Sequence, residues 1–379
     1  MTPLPRIHGG TDAAGPARFD FSTNANACGP CPAAQRAVRD ADPTRYPDGS
    51  HAALRERLAA RHGVDPARIV VAASGSEWIF RLTAWAARAG FRRVRVPALA
   101  YGDYADAARA WGMAVERYVS SGAAVRTASA AGAAPAADGA GAPPAPDRPA
   151  PSAAVPAAPA DPAAPAAPGA DGDGGPALVW ACDPSSPRGL SAPPPPVRPG
   201  DLLAIDRAYA PLRLSGGSQW TADDLDRAWQ LWSPNKALGL TGVRGAYAIA
   251  PAGGEAAAAE LDALAPSWPL GAHGVAMLDA WCGAAAIDWL HGSLAILRTW
   301  LARQQETCAA LGWQVLPSDT PFFCARPPVP AQFAALRAAG VQLRDTASFG
   351  LAGHLRVSVQ RPVAQDALRD AWNAAHRAR

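Results

Sequence analysis

Short apolar runs alternate along this chain with stretches whose apolar residues recur every three or four positions. Ile69, Val70, Val71 and Ala72 form an uninterrupted run that predicts a strand buried on both faces. Ser74, Gly75 and Ser76 follow, and then Trp78, Ile79, Leu82, Trp85 and Ala86 repeat at helical spacing until Gly90. Ahead of this unit, Ser50 offers a cap for a helix with Leu54 and Leu58 on one face, and Gly63 stands where that helix should stop. Further strands are expected over 177–180, 202–205 and 243–250, with a helix around 223–230 between the last two. This alternation predicts an α/β fold with a largely parallel sheet covered on both faces. From about residue 266 the pattern changes to one long helix over 275–303, short apolar runs at Val315, Phe322-Phe323, 341–343 and 355–359, and a closing helix over 364–376. That reads as a smaller α+β lobe.

The stretch 121–176 breaks the pattern, being almost wholly Ala, Pro, Gly, Asp and Ser. With so few large side chains to bury it cannot offset its ordering entropy, and disorder is expected. We read it as an insertion in a surface loop, since closing a longer loop costs little more. A linker between two independent domains is the other reading. The expected organisation is an N-terminal arm with part of the small domain over 1–45, a large domain over 46–265 interrupted by the insertion, and a small domain over 266–379.

Charge adds little. The chain has 35 basic and 32 acidic residues, net +3, without a long basic run, so no nucleic-acid partner is expected. Residues 1–15 lack an apolar signal region and no uncharged run reaches membrane length, which points to a cytoplasmic protein without a membrane partner. Six cysteines in 379 residues are too sparse for a disulfide scaffold. Cys28-Gly29-Pro30-Cys31 matches the thioredoxin redox spacing, but the surrounding unit is missing and Pro30 and Pro32 should delay any helix, so coincidence is the preferred reading. No metal site is read.

Three pieces carry chemistry. Ser74, Gly75 and Ser76 lie between a strand and a helix, where free backbone N–H groups at the positive end of the helix suit a phosphate. Ser233, Lys236, Gly239, Gly242 and Arg244 place an amine, a hydroxyl and a guanidinium in one loop system, which suits an aldehyde cofactor bearing a phosphate. Asp206 ends a buried strand, so its carboxylate points into the crevice of a parallel sheet, where it would keep a pyridine nitrogen protonated while Tyr209 bonds the ring hydroxyl. Taken singly, each has a plainer reading: a small-residue turn, a surface lysine, a capping Asp.

In that order the pieces resemble the fold-type I pyridoxal-phosphate enzymes of the class I/II aminotransferase family, with a large domain and a small α+β domain. The family's S-x-S-K-x-x-G-x-x-G-x-R stands here as Ser233 to Arg244, with Asn235 at the second serine. The resemblance implies that Lys236 bonds pyridoxal 5'-phosphate and that Ser233 and Arg244 grip its phosphate. His8-Gly9-Gly10, the run from Asp20 through Ser22, Asn24 and Asn26 to Gly29-Pro30, and Tyr46-Pro47-Asp48 look like the signatures of the threonine-phosphate decarboxylases of cobalamin synthesis, a branch of that family. Thr320-Pro321-Phe322-Phe323 and the stretch from Val341 through Arg344 to Arg356 are similar to that branch's closing pattern. By this likeness Tyr46 reaches the cofactor phosphate of a partner subunit, which implies a homodimer, and Tyr101 stacks on the pyridine ring. Arg356 would bind the substrate carboxylate, with His8, Gly9, Asn24 and Arg344 near the substrate's phosphate. Two departures stand out: Ser186 replaces the asparagine expected to touch the ring hydroxyl, and Ala27 replaces a proline.

The activity so implied is decarboxylation of L-threonine O-3-phosphate to (R)-1-amino-2-propanol O-2-phosphate. The close rival is amino transfer on a phosphorylated substrate such as histidinol phosphate. A non-catalytic binding protein that kept the fold is the reading from another class.

Overall fold

The computed structural model describes residues 9–119 and 174–377. The expected disorder of 121–176 and the proposed role of His8 therefore fall outside the described residues, apart from 174–176, which run irregularly into a strand. The strands are β1 Phe19–Asp20, β2 Ile69–Ala72, β3 Arg93–Pro97, β4 Ala114–Tyr118, β5 Ala177–Cys182, β6 Leu202–Asp206, β7 Trp229–Trp232, β8 Ala246–Ile249, β9 Gln314–Val315, β10 Phe322–Arg326, β11 Val341–Gln342, β12 Arg344–Asp345 and β13 Leu355–Ser358. The helices are α1 Pro32–Asp40, α2 Ala52–His62, α3 Gly75–Arg88, α4 Gly102–Ala110, α5 Ala222–Asp226, α6 Glu255–Ala263, α7 Ala272–Trp281, α8 Ala284–Ala310, α9 Phe333–Ala338 and α10 Pro362–His376.

Seven strands form one sheet in the order β2-β8-β7-β6-β5-β3-β4. All its pairings are parallel except those of β8, which runs against β2 and β7. Alternation along each strand feeds two apolar layers. Val70, Ala72, Leu178 and Trp180 join Trp78 and Leu82 of α3 on one face. Ile69 and Val71 pack with Leu54 and Leu58 of α2 on the other, and Val179 and Ile205 with Trp220. Burial on both faces is what makes these strands near-continuous apolar runs. β4 and β5, the strands on either side of 121–176, both lie alongside β3. The later part of the chain forms an antiparallel sheet, β12-β13-β10-β9, packed on α10 through Phe323, Val357, Leu368 and Trp372.

Several expectations need correction. The helix around 223–230 is confined to α5, while residues 229–232 form β7 inside the large sheet, where Trp229 and Leu231 face the same buried layer. Pairing with β6 and β8 overrides the local helical spacing. The long helix over 275–303 is two helices, bent by 71° at Cys282-Gly283, because Gly283 is extended. His51, not Ser50, takes the N-cap position of α2, in a left-handed conformation at φ 50°, while Oγ of Ser50 accepts from the Ala52 N–H that opens the helix at 3.3 Å and bonds Asp48 at 2.6 Å. Gly63 ends α2 at φ 66°, as expected. Pro32 starts α1 immediately after Cys31, so the prolines do not delay the helix. Among the described residues no single helix is long and apolar enough to cross a membrane.

Candidate active site

The loops after β2, β3, β5, β6 and β7 meet at one end of the large sheet and line a cavity of about 470 Å³. Residues 22–24 and the segment from Arg344 to Arg356 complete its wall.

At its inner end lies a cradle for a phosphate. Ser74 caps α3, its Oγ accepting from the Glu77 N–H at 3.1 Å. Arg244 donates to the same Oγ at 2.6 Å. A Cβ built on Gly75 would lie 2.8 Å from Oγ of Ser233, so a larger residue there would push that hydroxyl aside. Two hydroxyls, a guanidinium and the positive end of a 14-residue helix thus converge. Glu77, the acid in the first turn, is held by Arg81 at 2.9 Å.

Asp206 ends β6 with its carboxylate buried, Oδ1 accepting from the Ala208 N–H at 2.9 Å and Oδ2 from the Tyr104 hydroxyl at 2.8 Å. Tyr104 stacks on Trp180 with centroids 4.6 Å apart. Burial, and then the Asp206 charge, push its phenol well above the ordinary range, so it stays a donor. Tyr101 bonds Ser76 at 3.1 Å and is raised by burial too. Tyr209 accepts from Asn24 at 3.3 Å, and the Lys236 amine lies 5.6 Å from the centre of the Tyr209 ring. Asn26 fixes the lysine's loop, its N–H donating to the Lys236 carbonyl at 2.9 Å and its side chain to the Ala237 carbonyl at 3.1 Å.

On the opposite wall, Arg344 and Arg356 are direct partners across β12 and β13. Both guanidiniums lie over Phe349, at 5.0 and 5.2 Å from its ring centre. Arg356 donates to the Ser22 carbonyl at 2.8 Å, while its buried Nε has no partner. Burial, and then Arg356, lower the pKa of Arg344. The wall is therefore built for anionic groups.

Nearly every residue singled out in the sequence meets here: Gly9, Asn24, Ser74, Gly75, Ser76, Tyr101, Ser186, Asp206, Tyr209, Ser233, Lys236, Arg244, Arg344 and Arg356 all line the cavity. Tyr46 does not. It is 77% exposed and stacks on Trp268 at 4.4 Å. Sequence reasoning missed Tyr104, which bonds Asp206, and the cavity-lining Phe349, Cys182, Arg109 and Arg117. No local signal marks Tyr104, whose bond to Asp206 depends on where α4 packs.

Amine, buried carboxylate and phosphate cradle line one cavity and fit pyridoxal phosphate in charge and chemistry. The Oδ1 of Asn24 is buried without a partner, which leaves an acceptor for a bound molecule.

The chain matches the family described as aminotransferase class I and II over residues 17–134 and 169–368. It is 27% identical over 358 residues to a histidinol-phosphate aminotransferase of Symbiobacterium thermophilum, covering 90% of this chain and 86% of that one. Among solved structures it is similar to histidinol-phosphate aminotransferase from Sinorhizobium meliloti in complex with pyridoxal-5'-phosphate, at TM-score 0.71 and 18% identity, covering 100% and 98% of the two chains. It is also similar to L-threonine-O-3-phosphate decarboxylase from Porphyromonas gingivalis, at TM-score 0.66 and 19% identity, covering 94% and 98%.

Proposed function

The chain belongs to the class I and II aminotransferase family, is a pyridoxal-phosphate-dependent enzyme of fold-type I, and on that footing we propose that it transfers the amino group of a phosphate-bearing substrate such as histidinol phosphate. The observation that carries the phosphate-bearing substrate is the Arg344–Arg356 pair over Phe349, a cationic wall in the same cavity as the lysine's loop. The names of the related proteins support it over our first expectation.

Bound pyridoxal phosphate supplies an aldehyde that joins to amines and a ring that takes up electrons from the carbon bearing the substrate's nitrogen. Lys236 holds the cofactor and moves a proton at that carbon. Asp206 holds the proton on the ring nitrogen, and Tyr104 fixes Asp206. Ser74, Gly75, Ser233 and Arg244 bind the cofactor phosphate, each charge-assisted bond contributing about 1.5–3 kcal/mol. Tyr101 would cover the ring, and Tyr209 and Ser186 would flank its hydroxyl edge. Arg356 and Arg344 orient the substrate, with Gly9 and Asn24 beside them. The exposure of Tyr46 supports a homodimer in which it reaches the partner's cofactor phosphate. The small domain over 266–379 would carry the arginines.

Decarboxylation of L-threonine O-3-phosphate is the second reading, favoured by the N-terminal signature residues and by the likeness to the P. gingivalis enzyme. Which bond breaks depends on how the two arginines turn the substrate. Carbon dioxide release and amino transfer to 2-oxoglutarate are to be measured with both substrates. Amino transfer from histidinol phosphate is the expected outcome. Carbon dioxide from threonine phosphate without transfer would replace it with the second reading, and neither activity would remove both.

A further inference from the structure

Arg207 follows Asp206 directly, and successive residues at a strand's end point to opposite faces. Asp206 faces the cavity with Lys236, whereas Arg207 lines a second cavity of about 1100 Å³ that includes the bend between α7 and α8. Its guanidinium lies 4.9 Å from the centre of the Trp232 ring. Nε and Nη1 of Arg207 are buried with no hydrogen-bond partner, and so is Nε1 of Trp232. All three are donors, so what this corner lacks is an acceptor.

No neighbouring side chain bonds Arg207. Asp183 attracts Arg207 through space, but its bonds, to Arg213 at 2.9 Å and Ser218 at 2.7 Å, both fall on Oδ2, and its buried Oδ1 bonds no side chain, Arg207 included. Asp279, the acid on the cavity wall, is paired with Arg57. His62 is bonded to the Tyr247 hydroxyl at 2.7 Å. Arg61 lies 3.9 Å from the centre of the Trp281 ring and donates only to that residue's carbonyl, at 3.0 Å. Two guanidiniums thus line the cavity without a carboxylate bonded to either among the described residues, beside two indole rings and Leu290. Arginine does not shed its charge on burial, so such a corner favours an anion.

We propose that this second cavity binds a small oxyanion, a phosphate monoester or a carboxylate with a flat apolar body. Arg207 and Trp232 donate to its oxygens, Arg61 supplies the second positive charge, and the indole rings cover the body. The site is separate from the Lys236 cavity and does not depend on which reaction occurs there.

The test is thermal unfolding of the pyridoxal-phosphate-loaded protein, titrated with inorganic phosphate and, in a second arm, with phenyl phosphate. The proteins are the wild type, Arg207→Met and Arg61→Met. Phenyl phosphate is expected to raise the wild-type midpoint by roughly 3–5 °C at saturation, more than phosphate does. Each variant should lose at least half of that rise, and Arg207→Met without ligand should melt no lower than the wild type. Anions that reach Arg344 and Arg356 act alike on all three proteins, so the difference between them reports on the second cavity. An unresponsive wild type, or an equal rise in all three, overturns the proposal. Variants that keep the full rise but dissociate in sedimentation show that a second copy of the chain supplies the acceptor, which overturns it too.

Discussion

The hydroxyl of Tyr104 donates to Oδ2 of Asp206 at 2.8 Å, joining α4 to the end of β6 across 102 positions of sequence. The ring is fully buried and stacked on Trp180, so the phenol has no water to turn to. Tyr104→Phe keeps the stacking and removes the bond. Leaving a buried carboxylate oxygen unpaired costs about 1–3 kcal/mol. The midpoint of urea unfolding of the cofactor-free protein should fall accordingly, with the slope unchanged. An unaltered midpoint would show that the bond contributes nothing net.

Lys236→Ala should abolish the visible absorption that pyridoxal phosphate acquires on bonding to the protein, while the far-ultraviolet spectrum stays the same. A purified variant with an unchanged visible spectrum removes Lys236 from its proposed role.

Gly75→Ala puts a methyl group 2.8 Å from Oγ of Ser233 and forces that short side chain, or the loop after β7, to move. Overpacking of this kind typically costs 1–3 kcal/mol, about 1 here if the serine alone turns. Pyridoxal phosphate should bind about tenfold more weakly in equilibrium dialysis, because the cradle has lost its shape. Wild-type affinity would mean that the close approach is not needed.

Arg356→Met should lower kcat/KM by about tenfold to a hundredfold, from the loss of one charge-assisted contact, and leave the cofactor spectrum alone. Arg344→Met separates the two readings of the activity. With histidinol phosphate, the two substitutions act on one phosphate and their effects should fall short of additive. Additive losses would assign the arginines to two different substrate groups, as threonine phosphate requires.

His62 gives a pH dependence of stability. Burial first, and then Arg61 and Arg207, hold its pKa at about 4, against an ordinary 6.5. Between these values the unfolded chain binds a proton that the folded one refuses, so stability falls as the pH drops from 6.5 towards 4. The loss is on the order of 3 kcal/mol at most. His62→Gln should flatten this limb of the unfolding curve, and an unchanged slope would place the effect elsewhere.

The parallel sheet was legible because Ile69–Ala72 and Leu202–Asp206 are buried on both faces and contain little but apolar residues. β7 was not, because Thr221 and Asp224 form a true helix-starting box just before it, and nothing local says that the helix ends at Asp226. Only its neighbours β6 and β8 make residues 229–232 a strand. Ser233, Lys236 and Arg244 were legible because one short segment carries them. Tyr104 acts through a contact set by the placement of α4, which no spacing reveals. The choice between amino transfer and decarboxylation was not legible either, since Arg344 and Arg356 serve both.

β4 and β5 run in the same direction on opposite sides of β3, with Ala114 and Ala177 both level with Arg93. β4 ends at Tyr118, level with Pro97, whereas β5 begins at Ala177, level with Arg93. These two ends lie about 13 Å apart along the strands and about 10 Å across them, and parallel strands are joined by a dozen residues or more. A protein engineer who shortens the connection between β4 and β5 must therefore leave about a dozen residues and cannot use a tight hairpin, because the two strands run the same way.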